Sequence, residues 1–128
     1  MRILLDTHIA LWAVTGHASL SRPARNVILE ADEVFVSAAS TWEIAIKHAV
    51  GKGDMPVSAA QALQAFTDAG YSMLDIKPAH TLKVEQLPSI HKDPFDRMLV
   101  AQAWCEPLIL VTRDPLVARY GNGILQVA

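Results

Sequence analysis

Four acidic side chains stand where a carboxylate is either costly or well placed to act. Asp6 ends the apolar run Arg2–Leu5, Glu43 lies six residues past Val34–Ser37, Asp96 closes Asp93-Pro94-Phe95-Asp96, and Asp114 follows Leu108–Val111 after Thr112 and Arg113. Counted at helical spacing, Glu43 shares a stripe with Ala39, Trp42, Ile46, Ala49 and Val50, which puts its carboxylate on an apolar face. Its i+4 neighbour Lys47 contributes only about 0.3–0.5 kcal/mol if exposed, whereas a buried carboxylate without a strong partner costs several kcal/mol. Asp96 continues into Leu99, Val100 and Ala103 on one face. Two acids on apolar helix faces call for a cation. Asp6 and Asp114 carry an alternative reading as helix N-caps, Asp114 with Pro115 at the first helical position. Asp93, followed by Pro94 and Asp96, reads as the N-cap and support of its helix, paired with Arg97 four residues on.

Ligand types narrow the cation. One cysteine and five histidines (His8, His17, His48, His80, His91) show no HxxxH or CxxC spacing, which argues against zinc. His8 and His91 fall near the acids and read as satisfied loop histidines rather than ligands. Carboxylates and waters suit Mg²⁺ or Mn²⁺, and without metal the crowded acids raise at least one pKa. Such a site activates water and stabilises a phosphodiester transition state with no protein nucleophile. Rival chemistries lack their residues: there is no G-x-S-x-G elbow, no GxxxxGK[ST] loop and no GxGxxG, and Cys105 sits at a helix end as a packing residue.

The elements that must position these acids follow from the hydrophobic pattern. Strands are expected at Arg2–Leu5, Val34–Ser37, Tyr71–Leu74, Leu108–Val111 and Ile124–Val127. Helices fall at 8–14, from Ser21 to Ala31, at 38–50 up to Gly51 and Gly53, at 59–69, at 78–86 and at 93–105, with a short one from Asp114. Alternating strands and helices predict a parallel sheet covered on both faces, a three-layer α/β/α domain spanning 1–128. Right-handed crossovers leave each strand at its carboxyl end, so the four acids gather on that edge if strands one, two and four are neighbours.

Composition sets the outer bounds. With 128 residues, 52% hydrophobic, 19% charged and a mean hydropathy of +0.25, the chain is foldable as one domain and is not disordered. No apolar run approaches the roughly 18 residues a membrane span needs, no signal peptide is expected, and one cysteine gives no internal disulfide, so the expected compartment is the cytoplasm. The net charge is −2. Of 13 acids against 11 bases, setting the four candidate ligands aside leaves nine, a remainder of +2 for the rest of the surface. Lys47, Lys52, Lys92, Arg97 and Arg113 lie near the acids in sequence and are expected to rim the cleft and hold phosphates.

Taken in order, Leu4-Leu-Asp-Thr-His8 with Leu11-Trp12, Ser37-Ala-Ala-Ser-Thr-Trp-Glu43-Ile-Ala-Ile-Lys47, His91-Lys-Asp-Pro-Phe-Asp-Arg-Met-Leu-Val-Ala-Gln-Ala103 and Val111-Thr-Arg-Asp114 resemble the PIN-domain ribonuclease toxins of the VapC type. The resemblance implies a five-stranded parallel sheet of order 3-2-1-4-5. It implies an acidic quartet at Asp6, Glu43, Asp96 and Asp114 that holds Mg²⁺ or Mn²⁺, Thr112 orienting a water on the metal, and Asp93 in a supporting role. It further implies an RNA substrate, a homodimer and a cognate antitoxin whose tail blocks the cleft. The alternative is a PIN fold that binds nucleic acid or protein without catalysis. A phospho-receiver or phosphatase is disfavoured because Asp6-Thr-His8 lacks the second aspartate of a DxD motif.

Overall fold

In a computed structural model, which describes residues 1–51 and 55–127, five strands form one parallel sheet. The elements are β1 (Arg2–Leu5), α1 (Thr7–Thr15), α2 (Arg22–Glu30), β2 (Glu33–Ser37), α3 (Ala38–Val50), α4 (Ala59–Asp68), β3 (Ser72–Leu74), α5 (Pro78–Gln86), α6 (Pro94–Cys105), β4 (Ile109–Thr112), α7 (Pro115–Ala118) and β5 (Ile124–Gln126). The strand order is β3-β2-β1-β4-β5, with β1 flanked by β2 and β4. Strands one, two and four are therefore neighbours, as the gathering of acids requires. Each expected element is present, with ends displaced by one or two residues: β4 begins at Ile109 and gains Thr112.

Alternation along β1 explains the two cores. Ile3 and Leu5 face one side with Val36 and Val111, where Ile9, Leu20, Ala24, Ala62 and Phe66 of α1, α2, α4 and their connections pack. Leu4 faces the other side with Phe35 and Leu110, under Leu99, Val100, Val117 and Tyr120. Helix α3 joins the two layers. It packs against α4 on one side and α6 on the other, with Ile44 in the first core and Ala39 in the second. Ser37 at the end of β2 caps it, accepting from Ala39 N at 2.9 Å, so the helix starts on the carboxyl edge of the sheet.

The expected stripe around Glu43 is corrected. Trp42, Ile46 and Val50 are 57%, 42% and 60% exposed, whereas Glu43 is buried beside Ser40 and Ile44. The inward face of α3 runs through Ala39, Ser40, Glu43 and Ile44, roughly one residue's rotation away from the stripe that apolarity alone suggests. The carboxylate is desolvated by polar neighbours and the sheet edge. The apolar stripe beside it faces outwards.

Candidate active site

The carboxyl edge of β1, β2 and β4 opens into a cleft of about 360 Å³ whose lining includes Asp6, Glu43, Asp93, Asp96 and Asp114, with Lys47 and Arg113 among them. Every expected acid is therefore in one place. How each carboxylate is held differs.

Asp6 is the N-cap of α1 and also lines the cleft. Its Oδ1 caps α1, accepting from Ile9 N at 2.9 Å, and its Oδ2 accepts from the hydroxyl of Thr112 at 2.6 Å. Burial pushes its carboxyl pKa above the ordinary range, with Thr112 and Ile9 opposing and the charge of Glu43 adding to the rise. Thr112 is fully buried and also accepts from Asp114 N at 3.0 Å. Its donor is committed to Asp6, so it positions a carboxylate by tying the ends of β1 and β4 together. Glu43 is only 5% exposed. Thr7 donates to its Oε1 at 2.7 Å and contacts Ser40 Oγ at 2.8 Å, while Lys47 donates to Oε2 at 2.5 Å.

On the far wall, Asp93 caps α6, its Oδ1 accepting from Phe95 N at 2.8 Å and Asp96 N at 3.1 Å. That fixes Asp96 in the first turn. Burial, then the neighbouring charge of Asp93, pushes the Asp96 carboxyl up to about 7; His91 opposes, and Asp6 and Glu43 reinforce the rise. Asp114 caps α7 through Leu116 N at 2.8 Å and meets His91 Nε2 at 2.9 Å. Burial would raise its carboxyl, but the hydrogen bonds from His91 and Leu116 prevail and hold it below the usual range.

His91 is hydrogen-bonded through both ring nitrogens, as expected of a satisfied loop histidine, and its partners include two of the acids. Its Nδ1 accepts from Asp93 N at 3.1 Å, which leaves the ring proton on Nε2, 2.9 Å from Asp114 Oδ2 and 3.1 Å from Asp96 Oδ2. His91, Asp96 and Asp114 each offer a ligand atom within 4.8 Å of one another. Among the basic residues, Lys47 and Arg113 line the cleft. Exposed Lys92 does not, and Lys52 lies outside the described residues. Arg97 is corrected outright. Its guanidinium donates to the carbonyls of Val84 at 3.0 Å, Pro88 at 3.1 Å and His91 at 3.4 Å and to Tyr120 Oη at 3.1 Å, so it is a strut under the site, engaged with these groups rather than with Asp93. Thr7 and Ser40 were missed. Thr7 is legible only in hindsight, as the hydroxyl directly after Asp6.

Hard carboxylate oxygens with one imidazole fit a small divalent cation. Two acids are pushed above their ordinary pKa, chiefly by burial and further by neighbouring carboxylates, and a cation there would favour their charged forms.

The family model described as the PIN domain matches residues 3–123. The chain belongs to the PIN domain family. Another protein similar to this PIN chain is Ribonuclease VapC22 of Mycobacterium tuberculosis (strain ATCC 25618 / H37Rv), 31% identical over 113 residues that cover 88% of this chain and 86% of the relative. Solved structures share the PIN fold at lower identity. A chain of VapBC2 from Rickettsia felis, bound to a DNA fragment from their promoter, superposes with a TM-score of 0.67 at 15% identity, covering 99% of this chain and 98% of that one. A toxin–antitoxin complex from Klebsiella pneumoniae gives 0.68 at 16%, covering 97% and 96%, and DNA-bound VapBC from Salmonella typhimurium 0.67 at 16%, covering 99% and 97%.

Proposed function

We propose that this PIN domain is a divalent-metal-dependent endoribonuclease and the toxin of a toxin–antitoxin pair. The observation that carries the reading is the convergence of Asp6, Glu43, Asp96 and Asp114 on one cleft at the carboxyl edge of the sheet. Those four carboxylates would hold Mg²⁺ or Mn²⁺, with His91 beside Asp96 and Asp114. A bound ion of this kind supplies Lewis acidity towards water and towards the phosphodiester oxygens.

The chain's own residues do the rest. Thr112 and the α1 cap hold Asp6 in one rotamer, and Thr7 does the same for Glu43. Lys47 offsets the charge of Glu43 and, at 39% side-chain exposure, reaches solvent at the cleft. His91 holds a proton between Asp96 and Asp114. Arg113, and Lys92 on the approach, would steady the RNA phosphates, while Asp93 supports the turn that carries Asp96. The resulting affinity is modest and salt-sensitive.

The ribonuclease relative and the toxin–antitoxin neighbours support the biological assignment. With it we assign the whole of residues 1–128 to one nuclease domain, a cognate antitoxin as partner, a homodimer and a cytoplasmic place of action where RNA is available. The outward stripe of Trp42, Ile46 and Val50 offers apolar surface to a second copy. No helix among the described residues is long and apolar enough to cross a membrane.

Purified protein, free of any partner, would be given a pool of single-stranded and structured RNA with Mg²⁺ or Mn²⁺ and then with EDTA. Discrete cuts that disappear with EDTA are expected. Metal binding without any cleavage would replace the nuclease with a binding module.

A further inference from the structure

Beside the acidic cleft lies a second concavity of about 360 Å³, and the two share His8 and Trp12. Leu11 and Val57 give it an apolar floor and His17 stands on its rim. The rings here form a tier. Trp12 is half-buried on α1, with His8 at 5.8 Å between centroids and tilted by 50°, and His17 at 5.8 Å and nearly parallel at 25°. The guanidinium of Arg113, next in sequence to Asp114, lies 5.0 Å from the Trp12 ring centroid.

Resting on the ribonuclease reading above, we propose that this tier is a nucleobase subsite: it takes one unpaired base of single-stranded RNA next to the phosphate being cut. Aromatic rings and guanidinium planes are the surfaces on which unstacked bases rest, and every base has a π-face to offer. The polar groups suit a base edge. His17 Nδ1 accepts from Ser19 N at 3.0 Å, so its ring proton is on Nε2 and that nitrogen is a fixed donor. Both ring nitrogens of the exposed His8 have no hydrogen-bond partner among the described residues, so it can donate or accept. Charge also favours RNA over an apolar peptide: Arg113 lies over Trp12 and lines the acidic cleft, so a cation ties the tier to the cleft. A base added to this stack would fix the register of the strand over the carboxylates. Trp12 is thereby a positioning and specificity residue, distinct from the metal-holding set.

The test uses the full chain and single-stranded RNA 12-mers of randomised sequence, read nucleotide by nucleotide, with Mn²⁺. Trp12→Leu keeps apolar bulk but removes the π-face, and is expected to raise KM between about fivefold and a hundredfold and to flatten the nucleotide preference at one position beside the cut. Trp12→Phe restores both within a few-fold. A binding readout runs alongside in EDTA: RNA should quench tryptophan emission in the parent, and the quench should be lost in Trp12→Phe, which keeps Trp42 and Trp104. Circular dichroism and melting identify any variant that fails to fold, and Trp12→Phe keeps the question answerable in that case. If the parent cuts RNA and Trp12→Leu keeps its KM and its preference, the subsite is wrong, the nuclease stands and the patch belongs to a protein partner. If the folded, metal-loaded parent cuts nothing, the nuclease reading itself has failed.

Discussion

Asp96 shows most directly what a buried carboxylate costs the fold that carries it. Its carboxyl sits near 7 in the native chain against an ordinary 3.8. Between those values the native state keeps a proton that the unfolded chain has released, so this group's contribution to stability falls as pH rises from about 4 to 7 and stays low above that. Asp96→Asn should therefore abolish metal-dependent cleavage and yet raise metal-free stability at pH 8 by about 2–4 kcal/mol. The gain should vanish near pH 4. Denaturant titrations at both pH values check this, and a variant less stable than the parent at pH 8 would contradict the burial and charge crowding that raise this carboxyl. Thr7 makes the complementary case. Thr7→Val keeps the shape but leaves Glu43 Oε1 and Ser40 Oγ without that hydroxyl, so a loss of about 1–3 kcal/mol is expected. Mn²⁺ affinity, followed by calorimetry, should weaken in the same variant.

Helices α3 and α6 deliver the two walls of the cleft by different means. The first crosses from one core to the other, which carries Glu43 over the sheet edge. The second is fixed at its start by Asp93, Pro94 and the His91 turn. Arg97 then braces that start against the end of α5 and the ring of Tyr120. Arg97→Met removes four hydrogen bonds from a half-buried guanidinium and should cost about 2–4 kcal/mol of stability. At a temperature where the variant is folded, its KM for RNA should match the parent's. An undiminished melting temperature together with a raised KM would return Arg97 to the phosphate-binding surface. The sequence placed this residue at the rim because its neighbours in the chain are acids. Only the fold shows that its side chain runs the other way.

For the molecule as a whole, the charge gathered at one sheet edge predicts linkage between metal and stability. Millimolar Mn²⁺ at pH 7.5 should raise the melting temperature of the parent, by about 2.7 kcal/mol of stabilisation at a hundredfold excess over Kd, and should release protons as Asp96 ionises. EDTA should reverse the shift, and Asp96→Asn should show little of it. Differential scanning calorimetry decides the point, since an ion that binds elsewhere would stabilise both proteins alike. The sheet and its parallel sense were legible in the sequence, because short apolar runs alternate with capped helices, and the gathering of the four acids followed once the resemblance supplied the strand order. Asp93 as a cap was legible for a local reason, an acid two residues before the amide it accepts. What only the tertiary structure decided were relations between distant segments. The hydroxyls of Thr7 and Thr112 choose carboxylates 36 and 106 residues away. His91 finds Asp114 across 23 residues, and the true inward face of α3 differs from its most apolar stripe. Periodicity reports how a segment prefers to bury itself, but direction at a sheet edge is set by what the neighbouring strands and helices bring there.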